Sequence, residues 1–284
     1  MKQKQTITLL VILITFFSAG AASTGIFSGS GPGYFQFESI RGETVTIYGK
    51  GLYRHMSADV AIQGIAQDYV TLFIGIPLLI LGLWGYRKGS IRHHFLLTGV
   101  VGYFFVTYLF YMAMAMFNEL YLVYVTLMGL TFFALIHLIT SAELRSSISS
   151  FSSKTPVKFT GGFLIFNAFA IGMMWLGRIV PPLLDGSVYP QGVQHYTTMI
   201  VQGFDLGLLL PISFVSGRLL MQKKPVGYLT ATPYIVFLAI LMTALTAKII
   251  AMGIHGVNII PAVFIIPAIN LTTIGCAWAM LKNV

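Results

Sequence analysis

The sequence predicts an all-α protein, a polytopic bundle of transmembrane helices, from three observations. Of the 284 residues, 56% are hydrophobic and only 9% are charged, whereas soluble domains carry about 25% charged residues. Eight apolar runs are long enough to cross a bilayer core. Basic residues concentrate in alternate loops between these runs, as in multi-pass membrane proteins. A water-exposed globular protein is therefore excluded. Helices fit the bilayer because they satisfy the hydrogen bonds of their backbone N–H and C=O groups internally.

The predicted elements follow one another with short connections. The eight spans are expected at about 6–26, 60–86, 95–117, 120–141, 159–180, 197–217, 228–254 and 258–281. We divide the chain into a first transmembrane helix or signal peptide at 1–27, an outward segment at 28–59 and a seven-helix bundle at 60–284. In the outward segment, "FQFESI" and "ETVTIYG" alternate β-branched or aromatic residues around Arg41-Gly42, which predicts a small β-hairpin.

The first span has two interpretations. "MKQKQ", the apolar run to Phe17 and the small residues around Ala19 and Ala21 also have the three regions of a secretory signal. Cleavage there would leave seven helices, with every later segment oriented as before. Because apolar character continues to Phe27, the sequence favours a retained helix.

The basic residues predict the orientation. Twelve fall on one side of the predicted bundle: Lys2, Lys4, Arg87, Lys88, Arg92, Arg145, Lys154, Lys158, Arg218, Lys223, Lys224 and Lys282. Three fall on the other: Arg41, Lys50 and Arg54. This asymmetry predicts an inner or plasma membrane protein with a cytoplasmic C-terminus, and a cytoplasmic N-terminus if the first helix is retained. The net charge of +9 is then a topology signal, and no nucleic-acid partner is expected.

Polar residues recur at helical spacing within the apolar spans. The sixth span carries four of them at steps of 3, 4 and 3: His195, Thr198, Gln202 and Asp205. The second carries a stripe with small residues, which let helices approach closely: Gly64, Asp68, Thr71 and Gly75. The third, fifth and seventh spans add Glu119, Arg178, Lys248 and His255. Both aspartates are therefore expected to face the bundle interior.

These residues predict a polar binding pocket in the outward half of the bundle. Its candidate members are Asp68, Glu119, Arg178, His195, Gln202, Asp205, Lys248 and His255. A charge at the centre of a membrane helix costs about 2.5–3.5 kcal/mol, so partners are expected. We expect an Asp205–Lys248 ion pair and, second to it, an Asp68–Arg178 pair. A purely structural alternative stays open, in which the long side chains reach the headgroups or the pairs only fix helix register.

The chain lacks the motifs of common catalytic sites. It has no His-x-x-x-His or His-Glu-x-x-His zinc pattern and no glycine-rich phosphate loop, so no metal, cofactor or catalytic residue is predicted. The favoured function is binding or transport of a small solute, an ion or a lipid headgroup. An intramembrane enzyme acting on a lipid or envelope precursor is the first alternative. A structural or sensory protein whose ion pairs serve helix packing is the second.

Several stretches resemble those of a family of uncharacterised bacterial multi-pass membrane proteins. They are "IYGKGLYRH", "AQDYVTLFIGIPLLILG", "RKGSIR", "FNELYLVYV" and "DLGLLLPISF". The resemblance covers nearly all of the chain after residue 46. It implies a bacterial inner-membrane setting and no particular activity.

Overall fold

The computed structural model describes residues 2–190 and 192–284, so the first residue of the predicted 1–27 segment lies outside the described part. Eight helices in this part are long and apolar enough to span a membrane. They are α1 (Gln3–Phe27), α2 (Ala58–Arg87), α3 (Ile91–Met114), α4 (Tyr121–Ile139), α5 (Val157–Leu184), α6 (Ile200–Met221), α7 (Pro225–Ile254) and α8 (Ala262–Lys282). The predicted all-α bundle of eight spanning helices is confirmed.

The connections divide the bundle into two ends. The loops 88–90, 140–156 and 222–224 lie with the start of α1 and the end of α8 at one end, here called the basic end. There Lys4 pairs with Glu143 at 3.6 Å, and Arg92 Nη2 donates to the Lys282 carbonyl oxygen at 3.3 Å. The loops 28–57, 115–120, 185–199 and 255–261 lie at the opposite end, here called the hairpin end.

Helices α3 and α7 form the centre of the bundle. Helix α7 packs against α2, α3, α6 and α8, and α3 packs against α2, α4 and α7. Gly99 of α3 lets the two central helices meet, because a Cβ there would lie 2.6 Å from the Pro233 carbonyl oxygen of α7. Helix α1 packs against α2 and α4, with Ile7 and Ile14 fully buried. Helix α5 packs mainly on α6 and exposes large apolar side chains such as Phe166, as expected for a lipid-facing helix.

The hairpin end is covered by a two-stranded antiparallel sheet, which confirms the predicted hairpin. Strands β1 (Phe35–Glu38) and β2 (Thr44–Ile47) pair with Phe35 opposite Ile47. Arg41, in the turn between them, donates from Nη1 to the carbonyl oxygens of Gln194 and Tyr196, at 3.1 and 3.0 Å. The hairpin is thus fastened to the loop between α5 and α6.

Helices α2 and α6 share an irregularity. Each contains a π-helical turn, Thr71–Gly75 in α2 and Asp205–Leu209 in α6, and a proline follows two residues after each turn. A proline ring clashes with the carbonyl of the residue four positions earlier and removes a helical hydrogen bond. That earlier residue is Phe73 or Gly207, inside the wide turn in both helices. Wide turns of this kind often occur at functional sites.

Candidate functional site

Asp68 of α2 is the most deeply enclosed of the predicted site residues. Its side chain is only 2% exposed. Tyr53 Oη donates to Asp68 Oδ2 at 2.5 Å, and Tyr111 Oη of α3 lies 3.0 Å from both Asp68 Oδ1 and the Gly64 carbonyl oxygen, so these two acceptors share its one proton. Burial raises the pKa of Tyr53, which lies outside the spans, so its hydroxyl keeps the proton it donates. Each carboxylate oxygen therefore faces a tyrosine hydroxyl.

A close helix contact and a polar network fix the surroundings of Asp68. Gly25 of α1 lies against the carboxylate, and a side chain at that position would overlap it. One residue before Asp68, Gln67 Nε2 donates to Tyr103 Oη at 2.7 Å, while Gln67 Oε1 is buried without a hydrogen-bond partner in the described residues. The stripe predicted on α2 does face the interior, since Asp68 and Thr71 are both buried.

Asp205 lies at the start of the π-helical turn of α6. Trp175 Nε1 of α5 donates to Asp205 Oδ2 at 2.8 Å, and the carboxylate is half-buried. The wide turn thus positions an acidic side chain between α5 and the centre of the bundle. Trp175 was not among the residues predicted from the sequence, although an indole N–H inside a membrane helix requires an acceptor.

Lys248 of α7 lies within electrostatic range of both Asp68 and Asp205. The ion pairs found among the described residues are Lys4–Glu143 and Arg54–Glu119. The expected direct Asp205–Lys248 pair is therefore not formed at contact distance, and the carboxylate of Asp205 accepts a hydrogen bond from Trp175. We call Asp68, Asp205 and Lys248, which come from three helices, the charge cluster.

Two other predicted site residues lie away from this cluster. Arg178 is exposed at the end of α5 beside Gly192, so the expected Asp68–Arg178 pair is not formed. Glu119 lies in the loop after α3 and pairs with Arg54 at the exposed surface. The pKa of Glu119 is lowered, mainly by a hydrogen bond with its own backbone and further by the positive charge of Arg54.

The remaining predicted residues lie at the hairpin end. Helix α6 begins at Ile200, so His195 and Thr198 lie in the preceding loop. The prediction that the four residues share one helical face is therefore wrong. His195 Nε2 lies 3.0 Å from the His55 carbonyl oxygen, which fastens this loop to the segment 28–57. Gln202 is half-buried in the first turn of α6, and His255 follows the end of α7.

A cleft of about 850 Å³ opens at the hairpin end above α2 and α7. Residues from the hairpin, from the start of α2 and from the loops after α5 and α7 line it: Tyr34, Glu43, Thr44, Val45, Thr46, Ala58, Asp59, Ile62, Gln194, His255 and Val257. This lining has two carboxylates and neither lysine nor arginine. Asp68 follows Ile62 by roughly 9 Å along α2, and Lys248 precedes His255 by roughly 10 Å along α7, at 1.5 Å per residue.

No metal centre is evident in the part of the chain that the structure describes: no three His, Cys, Asp or Glu side chains gather there closely enough to hold an ion. Comparison with protein-family models, with curated proteins and with solved structures found no match. The charge cluster and the acidic cleft above it are therefore the features from which a function is inferred.

Proposed function

We propose that this multi-pass membrane protein is a transporter that binds a monovalent cation, either a proton or an alkali ion, at the charge cluster. The observation that carries the proposal is the position of Lys248. It lies within electrostatic range of two carboxylates on two other helices, yet forms a contact-distance ion pair with neither.

The charge of the cluster supports cation binding. Two carboxylates and one ammonium carry a net charge of −1 when all three are ionised. An uncompensated charge inside a membrane bundle is costly, and ionisable groups there commonly mark ion or proton pathways. One bound proton or alkali ion would neutralise the cluster. A role in helix packing alone would need only one carboxylate in a direct ion pair with the ammonium group.

The backbone of α2 and α6 supports a site that changes conformation. Asp205 begins the π-helical turn of α6, and Asp68 lies three residues before the π-helical turn of α2; a proline follows each turn. Such turns leave carbonyl groups without their usual helical donors, and interrupted helices are a recurring feature of ion sites in transporters. A small change in either turn would alter the distance from its carboxylate to Lys248.

The cleft at the hairpin end supports access from one side. Its carboxylates, Glu43 and Asp59, favour the entry of cations over anions. The excess of lysine and arginine at the opposite end favours a cytoplasmic basic end, so the cleft would face outward. A bacterial inner membrane is the setting that the sequence predicts.

Cation binding can be tested on the protein purified in detergent. Thermal unfolding is followed from acidic to alkaline pH in sodium, potassium or choline chloride at equal ionic strength. A ligand that binds only the folded state raises the melting temperature with its concentration. We expect a response to pH alone if the ligand is a proton, and an additional response to sodium or potassium over choline if it is an alkali ion.

Matched variants locate the response. Asp68→Asn and Asp205→Asn each remove one carboxylate of the charge cluster, so both variants should lose the response of the melting temperature to pH or cation. Asp59→Asn removes a carboxylate of the cleft and should keep it. A wild-type protein with no response to pH or cation, or a response that survives in both cluster variants, contradicts the proposal.

A further inference from the structure

At the basic end, two lysines each lie over a tryptophan ring, and an arginine joins the two regions of the chain that carry them. Lys88, just after α2, holds its Nζ 3.7 Å from the centre of the Trp84 ring. Lys282, at the end of α8, holds its Nζ 4.6 Å from the centre of the Trp278 ring. Arg92 Nη2, at the start of α3, donates to the Lys282 carbonyl oxygen at 3.3 Å. This hydrogen bond joins the α2–α3 turn to the end of α8.

One acidic side chain, Glu143, lies near this group, since it lines a small pocket with Gly89, Ser90 and Ile91. Of the eight acidic residues in the chain, only Glu143 belongs to the loops of the basic end. Its carboxylate pairs with Lys4 at 3.6 Å. Lys88, Arg92 and Lys282 are all exposed. Their three positive charges are therefore available to an anion from outside the chain.

The two tryptophans place these charges at the edge of the bilayer. Trp84 is 54% exposed and Trp278 is 63% exposed, each about one turn inside the end of its spanning helix. Tryptophan is enriched at the level of the lipid headgroups, where its ring contacts lipid and its N–H contacts water. A lysine over each ring is thereby held at the depth of a lipid phosphate.

We propose that Lys88, Arg92 and Lys282, with Trp84 and Trp278, form a site for the headgroup of an anionic phospholipid; we call this group of residues the lipid site. The cationic groups bind the phosphate, and the two rings contact the acyl chains just below it. Basic groups near a membrane surface are attracted to anionic lipids. The lipid site stands apart from the charge cluster, which lies toward the other end of the bundle.

The test measures lipid binding to the purified full chain in detergent, with phosphatidylglycerol and phosphatidylcholine as probes. Native mass spectrometry counts the bound lipid. Brominated forms of each lipid report contact through quenching of tryptophan fluorescence. Each basic group near an anionic surface contributes about 1 kcal/mol, or about fivefold. We therefore expect the wild type to prefer phosphatidylglycerol by at least about tenfold.

Two triple variants with equal loss of charge give the comparison. Lys88→Gln/Arg92→Gln/Lys282→Gln should lose most of the preference and most of the quenching. Lys154→Gln/Lys158→Gln/Lys224→Gln, exposed residues elsewhere at the basic end, should keep both. If the first triple variant does not fold, the single changes Lys88→Gln and Lys282→Gln should each weaken the preference by about fivefold. Lys88→Arg/Lys282→Arg should retain it.

Three results would overturn the lipid site. The first is equal binding of the two lipids by the wild type. The second is equal loss in the two triple variants, which would reduce the effect to general surface charge. The third is full competition by glycerol phosphate at the concentration of the lipid, which would show that the acyl chains and the tryptophans contribute nothing.

Discussion

Replacing Tyr53 by phenylalanine removes one hydroxyl from the environment of Asp68 and leaves the rest of the side chain in place. Tyr53 is only 2% exposed, and its Oη lies 2.5 Å from Asp68 Oδ2. The phenylalanine ring fills the same space, so no cavity forms. What changes is the number of donors, because Tyr111 then remains as the single tyrosine that donates to the carboxylate.

The expected cost follows from the charge of the acceptor. The experiment is done at alkaline pH, where Asp68 is ionised, because a hydrogen bond to an ionised group contributes about 1.5–3 kcal/mol to stability. Asp68 is 2% exposed, so no solvent replaces the lost donor. We therefore expect Tyr53→Phe to lower the free energy of unfolding by about 2 kcal/mol. In an Asp68→Asn background the acceptor is neutral, and the same change should cost only about 1 kcal/mol.

The assay is a double-mutant cycle on the protein in detergent micelles, with the free energy of unfolding measured for wild type, both single variants and the double variant. Tyr48→Phe is the matched control, since the Tyr48 hydroxyl makes no hydrogen bond with the described residues and its ring packs on Tyr34. The control should stay within about 0.5 kcal/mol of the wild type, as is usual for changes away from such features.

The reasoning fails if Tyr53→Phe is as stable as the control. It also fails if the effects of Tyr53→Phe and Asp68→Asn simply add within about 0.5 kcal/mol, because additivity is the behaviour of residues that do not interact. Either result would mean that the tyrosine does not stabilise a buried carboxylate.

Three further predictions concern the packing and the orientation of the chain. Gly25→Ala should destabilise the protein by about 1–3 kcal/mol, because its new Cβ overlaps the Asp68 carboxylate. Gly20→Ala, in open space on the same helix, is the control and should be neutral or slightly stabilising in the same unfolding assay. Arg41→Gln should release the hairpin from the 185–199 loop and speed its cleavage by protease added from the hairpin side, whereas unchanged cleavage would show that these hydrogen bonds do not fasten it. A fluorescent protein fused after Val284 should be fluorescent in the cytoplasm, and an active periplasmic phosphatase at that position would reverse the orientation.

Hydropathy and spacing predicted the elements that depend on local physics. A membrane span must be apolar and helical over its whole length, so the eight helices could be identified from composition alone. The inward orientation of Asp68 also followed from the sequence, because Gly64 and Thr71 share its helix face. The alternation of residues around Arg41-Gly42 predicted the hairpin, and the two strands pair there.

The parts that depend on tertiary contacts could not be predicted in this way. Helical spacing placed His195 on α6, but α6 begins at Ile200, and His195 lies in the preceding loop with its Nε2 3.0 Å from the His55 carbonyl oxygen. Charge complementarity suggested Asp205–Lys248, but Trp175 of a neighbouring helix provides the hydrogen bond instead. Tyr53 lies outside the spans and reaches Asp68 only through the fold of the segment 28–57. Spacing within one helix carries no information about such partners.

The central claim, a monovalent cation site at the charge cluster, is tested most directly by infrared difference spectroscopy of the carboxyl groups. Protein reconstituted in lipid is compared between acidic and alkaline pH, and between sodium and choline at fixed pH. We predict a carboxylic-acid band that responds to pH or to sodium in the wild type and in Asp59→Asn, and that disappears in Asp68→Asn or Asp205→Asn. A band that is the same in all four proteins, or no carboxyl response in the wild type, would contradict the claim.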